Sequence, residues 1–110
     1  MSDPLTLLGL ARKAGRIVPG SDAAGQCLRQ GKASLLLLVS DASDNTARRA
    51  RRRAEETGTE LLFLPYTKEE LGRALGRRTC ALAVLTDEGF ASALKKILNN
   101  QLSNQSSKNR

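Results

Sequence analysis

The run Leu-Leu-Leu-Leu-Val at residues 35–39 offers no polar residue to either side of a strand. A strand that alternates polar and apolar residues can leave one face in water, whereas a strand apolar on both faces must be covered on both. A chain built around such a run must therefore cover both faces of the sheet that holds it. Leu-Leu-Phe-Leu at 61–64 and Cys-Ala-Leu-Ala-Val-Leu at 80–85 have the same character. Residues 16–19 form a further short extended piece.

Helical patterns stand between these runs. Residues 4–13 open with Pro and place Leu5, Leu8 and Ala11 on one side before Gly15. Residues 21–30 follow, with Ser21 as the expected N-cap, Ala24, Cys27 and Leu28 facing inward, and Gly31 as the stop. A third helix begins within Asp41-Ala-Ser-Asp-Asn-Thr, where Asp44 is the expected cap, and ends at Gly58. Ala47, Ala50, Ala54 and Thr57 make a narrow stripe that lets it lie close on a sheet. Thr67 with Glu70 reads as a capping box for a helix through Leu75 that stops at Gly76. The last helix, about 88–98, packs Phe90, Ala91, Leu94 and Ile97, with Asp87 as a turn residue before it. The alternating order predicts an α/β fold, a three-layer α/β/α sandwich with a small, four-stranded mixed central sheet. At 110 residues the chain is one domain, over 1–98, and residues 99–110, rich in Asn, Gln and Ser, are expected to be disordered.

Charge and missing residue types narrow the function. Eighteen Lys and Arg against 11 Asp and Glu leave +7 at pH 7, which favours a polyanionic partner. Aromatic residues make up only 3% of the chain, so nucleic-acid contact has to come from charge, backbone and shape rather than a row of stacking rings. With no His and two Cys, neither a Cys/His zinc site nor a Ser-His-Asp or Cys-His nucleophile set can be assembled. No metal, cofactor or enzymatic activity is expected. Cys27 and Cys80 sit among apolar neighbours and read as small core thiols. No apolar stretch approaches the ~20 residues of a membrane span, and the chain reads as cytoplasmic, monomeric and without a membrane partner.

Candidate binding residues fall in three places. Arg48, Arg49, Arg51, Arg52 and Arg53 crowd two turns of the third helix, opposite the Ala stripe. They read equally well as a solvated face, with Arg51–Glu55 and Arg52–Glu56 paired at i, i+4, or as auxiliary phosphate contacts through Arg48, Arg49, Arg52 and Arg53. The strand-to-helix segment through Gly20 lets backbone approach a ligand closely. It lacks the spacing of a Walker loop or a dinucleotide fingerprint. Beyond it Asp22, Gln26 and Arg29 share one exposed helix face. Spacing alone makes this an ordinary polar face more readily than a binding row. Finally, Arg77 and Arg78 before Thr79 can grip phosphate, cap a helix C-terminus, or both.

Several segments, taken in order and spacing, resemble a known family. They are Leu7-Leu-Gly-Leu-Ala-Arg-Lys-Ala-Gly-Arg-Ile-Val-Pro-Gly, Arg29-Gln-Gly-Lys-Ala-Ser-Leu-Leu-Leu-Leu, Asp41-Ala-Ser-Asp-Asn-Thr, Lys68-Glu-Glu-Leu-Gly-Arg-Ala-Leu-Gly and Val84-Leu-Thr-Asp-Glu-Gly-Phe-Ala. The family is that of the kink-turn-binding ribosomal proteins, in particular its small bacterial YlxQ-type branch, and the likeness covers about residues 5–98. It implies an α/β/α sandwich without catalytic activity that binds structured RNA, a duplex sharply bent at an internal loop with tandem sheared G·A pairs. Ribosomal RNA is the expected source, with ribosomal proteins as further neighbours. The family's recognition pattern, Gly-x-Asn-Glu-x-x-Lys, falls on Gly20, Ser21, Asp22, Ala23 and, at the Lys position, Gln26. Asp22 keeps an acceptor without the amide donor, Ala23 removes a carboxylate and Gln26 removes a cation. The family's second contact, an apolar loop before the last strand, falls on Arg77, Arg78 and Thr79, where charge replaces apolar surface. The resemblance leaves one alternative of another class, a protein-interaction module of the same fold whose RNA surface has been turned to another use.

Overall fold

A computed structural model describes the backbone of residues 3–108 and the side chains of residues 3–100. Helices and strands alternate as α1 (Pro4–Lys13), β1 (Ile17–Pro19), α2 (Ser21–Arg29), β2 (Leu35–Leu38), α3 (Asp44–Thr57), β3 (Leu61–Phe63), α4 (Lys68–Ala74), β4 (Leu82–Leu85) and α5 (Glu88–Lys108). The sheet has four strands in the order β1-β4-β2-β3. β2 and β3 run parallel, with Leu37 opposite Leu62, and α3 supplies the crossover a parallel pair needs. β4 runs antiparallel to both neighbours, with Val84 opposite Val18 on one side and Leu36 on the other.

The apolar runs divide by period two between two cores. Leu35, Leu37, Val39, Ala83 and Leu85 face α1, α4 and α5, packing with Leu8, Ala11, Leu71, Leu75, Ala91 and Leu94. Leu36, Leu38, Leu82 and Val84 face α2 and α3, packing with Ala24, Cys27, Leu28, Ala50 and Ala54. This is the three-layer sandwich and mixed four-stranded sheet expected above. Each leucine of β2 is at most 1% exposed. Burying a side chain of that size contributes roughly 1.5–3 kcal/mol, so the central strand dominates both cores.

Segment ends differ from expectation where side-chain hydrogen bonds decide them. The cap of α3 is Ser43, not Asp44: Ser43 has extended backbone and its Oγ accepts from Thr46 N at 3.1 Å, while Asp44 is the first helical residue. Gly58, at φ 65°, ends this helix in the left-handed conformation that a residue with Cβ adopts reluctantly. Ser21 is likewise the first residue of α2, and the N-cap is Gly20, which has no side chain to offer. The capping box of α4 forms as expected, with Glu70 N donating to Thr67 Oγ1 at 3.1 Å and Thr67 N donating to Glu70 Oε1 at 2.9 Å. β4 begins at Leu82 rather than at residue 80, because Cys80 N donates to Lys68 O at 2.9 Å and is drawn out of the ladder.

α5 continues to Lys108, past the expected end near Leu98 and through most of the stretch expected to be disordered. Asn, Gln and Ser are mediocre rather than forbidding helix residues, and no Gly or Pro follows Gly89 to interrupt the i→i−4 ladder. Residues 109–110 lie outside the described part. Asp87 behaves as the turn residue expected, accepting from Gly89 N at 2.8 Å.

The pairs Arg51–Glu55 and Arg52–Glu56 do not form, and among the described residues the one ion pair joins Lys95 to Glu60 at 2.9 Å. Arg51 lies over the ring of Phe63 instead, 5.6 Å from its centroid. An exposed i, i+4 pair contributes only ~0.3–0.5 kcal/mol, so a neighbouring aromatic face competes well for the guanidinium.

Both cysteines are buried free thiols, as expected. Burial pushes the Cys80 thiol above its ordinary value, partly offset by backbone at Leu82 and Gly20 and by the Arg77 guanidinium. Burial also raises Cys27, against the opposing charge of Lys32. A thiol raised by folding contributes stability that is present below its unfolded pKa and is lost as pH rises through the folded value. Alkylation by iodoacetamide at about pH 8.5, near the ordinary thiol pKa, should be slow in the native chain and fast in urea; equal rates would contradict the burial. Urea denaturation should also show Ser43→Ala costing about 1 kcal/mol and Asp44→Ala less, with the reverse order pointing back to Asp44 as the cap.

Candidate functional site

Two loops distant in sequence meet at the start of α2. The first leaves β1 at Pro19 and enters α2 through Gly20, whose N–H donates to Leu82 O at 2.9 Å and so pins the turn to β4. Gly20 has φ 100° and ψ 146°, a conformation costly for any residue with Cβ. The second is the α4–β4 loop. A Cβ built on Gly20 would lie 3.5 Å from an Arg77 guanidinium nitrogen, so this cation sits directly against the turn. Gly20 and Arg77, named separately from sequence, are thereby brought together.

The α4–β4 loop owes its path to Gly72. A Cβ on this buried helical residue would lie 2.6 Å from Thr79 Cα, 2.8 Å from Thr79 N and 2.9 Å from Arg78 O. The loop backbone packs against the bare face of α4, and Arg77 N donates to Gly72 O at 2.7 Å. This contact is the physical reason for the first glycine of the Lys68-Glu-Glu-Leu-Gly-Arg-Ala-Leu-Gly segment. Asp41 also fixes a loop in place. Its Oδ1 accepts from Lys68 N at 2.8 Å, tying the β2–α3 loop to the start of α4. Arg77, Arg78 and Thr79 all stand exposed at the surface while Cys80 turns inward.

Along α2, Ser21, Asp22, Ala23, Gln26 and Arg29 are exposed and Ala24, Gly25, Cys27 and Leu28 are buried, as the helical spacing predicts. Ala23 and Gln26 line an open depression of about 620 Å³ together with Arg16, Lys32 and Thr86. Arg16 opens the strand-to-helix segment and Lys32 follows the end of α2, yet neither was singled out from sequence, because an exposed cation at a segment end carries no local mark of a shared surface.

The arginines of α3 do not act as one face. Arg53 is only partly exposed, donates from Nη1 to Ser21 O at 3.1 Å, and lies against the backbone of α2 where Gly25 leaves room for it. The Arg29 guanidinium approaches the same spot, 3.6 Å from the Cβ that Gly25 lacks. Arg49, one turn before Arg53, lines a small crevice with Ser21, Thr46 and Arg53. Arg48 and Arg52 are exposed. Gly25 escaped the sequence reading, yet a signal was available: a glycine inside a helix costs about 1 kcal/mol relative to alanine, so its presence marks a close approach.

Gly72 and Gly25 are expected to respond oppositely to alanine. At Gly72 the obstruction is backbone, so Gly72→Ala should destabilise by roughly 1–3 kcal/mol and shift the amide resonances of 77–79. At Gly25 the obstruction is the far end of a flexible side chain. Gly25→Ala should leave stability unchanged or raise it by up to about 1 kcal/mol, while breaking the Arg53–Ser21 hydrogen bond. Urea denaturation with backbone NMR checks both, and a destabilised Gly25→Ala with an unaffected Gly72→Ala would refute the packing described.

Residues 5–95 match the model of the ribosomal protein L7Ae/L30e/S12e/Gadd45 family. The chain is 36% identical over 96 residues to the RNA-binding protein YlxQ of Bacillus subtilis, covering 84% of this chain and 91% of that protein. Identity is 24% over 94 residues to the RNA-binding protein YlxQ of Enterococcus faecium, covering 86% and 89%. Among solved structures, a Bacillus halodurans protein of unknown function superposes with a TM-score of 0.81 at 24% identity, covering 90% of this chain and 99% of that one. A 15.5 kD RNA-binding protein of Giardia lamblia superposes at 0.68 with 22% identity, covering 87% and 82%.

Proposed function

Because the chain belongs to the ribosomal protein L7Ae/L30e/S12e/Gadd45 family, we propose that it is a non-enzymatic RNA-binding protein that recognises a kinked duplex, a kink-turn with tandem G·A pairs, in ribosomal RNA. The observation that carries this reading is the meeting of Gly20 and Arg77, which joins the two loops the family resemblance assigns to RNA. The turn at Gly20 exposes backbone for close approach. Asp22 offers a carboxylate acceptor and Gln26 an amide that both donates and accepts, groups suited to the edges of splayed guanines. Arg77 and Arg78 supply charge for phosphates on the flanking strand, where contacts position the RNA without reading its sequence.

A docking role for α3 toward a protein partner is favoured by one observation, the 51% exposure of Phe63 beneath Arg51. An aromatic side chain paired with arginine at the surface is a common anchor of protein interfaces.

Titration against a kink-turn RNA and a fully paired duplex of equal length, at about 0.15 M monovalent salt, separates the two. Recognition of the kink predicts a preference of roughly a hundredfold, about 2.7 kcal/mol, and Arg77→Ala with Arg78→Ala should weaken binding to the kinked RNA at least tenfold. Equal, salt-sensitive binding to both RNAs would overturn kink recognition and direct attention to Phe63 and Arg51.

A further inference from the structure

The arginines of α3 are split between two flanks. At 100° per residue Arg49 and Arg53 share the flank turned to α2, where Arg53 bonds to Ser21 and Arg49 lines the same crevice, whereas Arg51 is turned to the sheet edge and engaged with Phe63. On the α2 side a second helix contributes Arg29, which approaches Gly25 beside Arg53. Arg77 stands at the next turn of backbone, against Gly20. Guanidinium groups from α2, α3 and the α4–β4 loop thus gather along one edge of α2. None is joined to a carboxylate, since the one ion pair among the described residues is Lys95–Glu60.

Like charges gathered without counter-charge repel, and the repulsion is relieved when an anion with several charges lies across them. The members of this cluster are not equivalent. Arg53 spends a donor on Ser21 O and is partly sheltered by α2, so it holds α3 against the start of α2. Arg29 and Arg49 flank it, and no hydrogen bond within the described part of the protein commits their guanidinium groups, which leaves their donors for a ligand. An oxygen-bearing polyanion with regularly spaced charges suits such a row, and guanidinium groups pair with phosphate oxygens in bidentate fashion.

We infer that the edge of α2 turned to α3 is a phosphodiester track, an electrostatic groove in which Arg29 and Arg49 grip the backbone of an RNA strand beyond the kink, with Arg53 positioning the two helices. The inference rests on the RNA-binding reading above and extends it to a surface outside the two loops of that reading. Contacts of this kind add affinity and salt dependence without sequence preference.

The test compares two variants of equal charge loss on the kink-turn RNA and the paired duplex, with circular dichroism confirming the fold of each. One is Arg29→Gln with Arg49→Gln. The other is Lys13→Gln with Lys96→Gln, which removes charge from exposed residues of α1 and α5 on the far side of the sheet. The groove variant should bind both RNAs roughly tenfold more weakly, and its log-log salt slope should fall by roughly 1.4–1.8, as expected for two lost phosphate contacts. The control variant should stay within about twofold of the wild type. Equal losses in the two variants, or an unchanged slope in the groove variant, would overturn the track while leaving any preference for kinked RNA intact. A lowered slope together with no preference for the kink would uphold the track and overturn kink recognition. Absence of wild-type binding to either RNA would overturn both.

Discussion

Everything in this fold answers to the demand that β2 be dry on both sides. Four consecutive leucines, each at most 1% exposed, point alternately up and down, and neither set can be covered by a neighbouring strand. Helices must come from both directions, and each then has to fit the strip of sheet available. On one side three helices share the load. On the other, α3 approaches through Ala50 and Ala54 and α2 through Ala24, Cys27 and Leu28, and the small residues among them bring the helix backbones near the sheet. That close packing also forces α2 and α3 near one another, and the Gly25–Arg53 contact is how two helices with polar flanks tolerate the proximity.

The architecture was legible because its signals are local and periodic. Runs apolar on both faces, capping residues and glycine stops identify elements without knowledge of their neighbours, and the capping box at Thr67 and Glu70 forms as its spacing requires. Misplacements arose where two adjacent residues could do the same chemistry. Ser43 and Asp44 both carry oxygens suited to a first turn, and only the backbone geometry selects Ser43. The end of α5 was missed for a different reason, since composition alone suggested disorder while the absence of a breaker allowed the helix to continue.

The site was legible residue by residue but not as an arrangement. Gly20 and Arg77 are far apart in sequence, and nothing in either segment announces that the other will lie against it. The arginine cluster posed the harder problem. Helical spacing correctly put Arg48 to Arg53 around α3, yet which of them faces α2 depends on the rotation of the whole helix about its Ala stripe. The arginine surface thereby separates into a clamp at Arg53, a stacked side chain at Arg51, and the remaining cations. The basic excess of the chain has a direction only once that rotation is known.

The contact between Gly72 and the loop at Arg78 and Thr79 is made by backbone on both sides. The course of this loop is consequently independent of the side chains it carries. Residues 77 and 78 can be exchanged, apolar for charged or the reverse, and the new groups will project from the same points in space. Such a mount lets related chains change what they display to a partner while the framework that aims it stays unaltered, so divergence in binding chemistry need not be accompanied by divergence in shape.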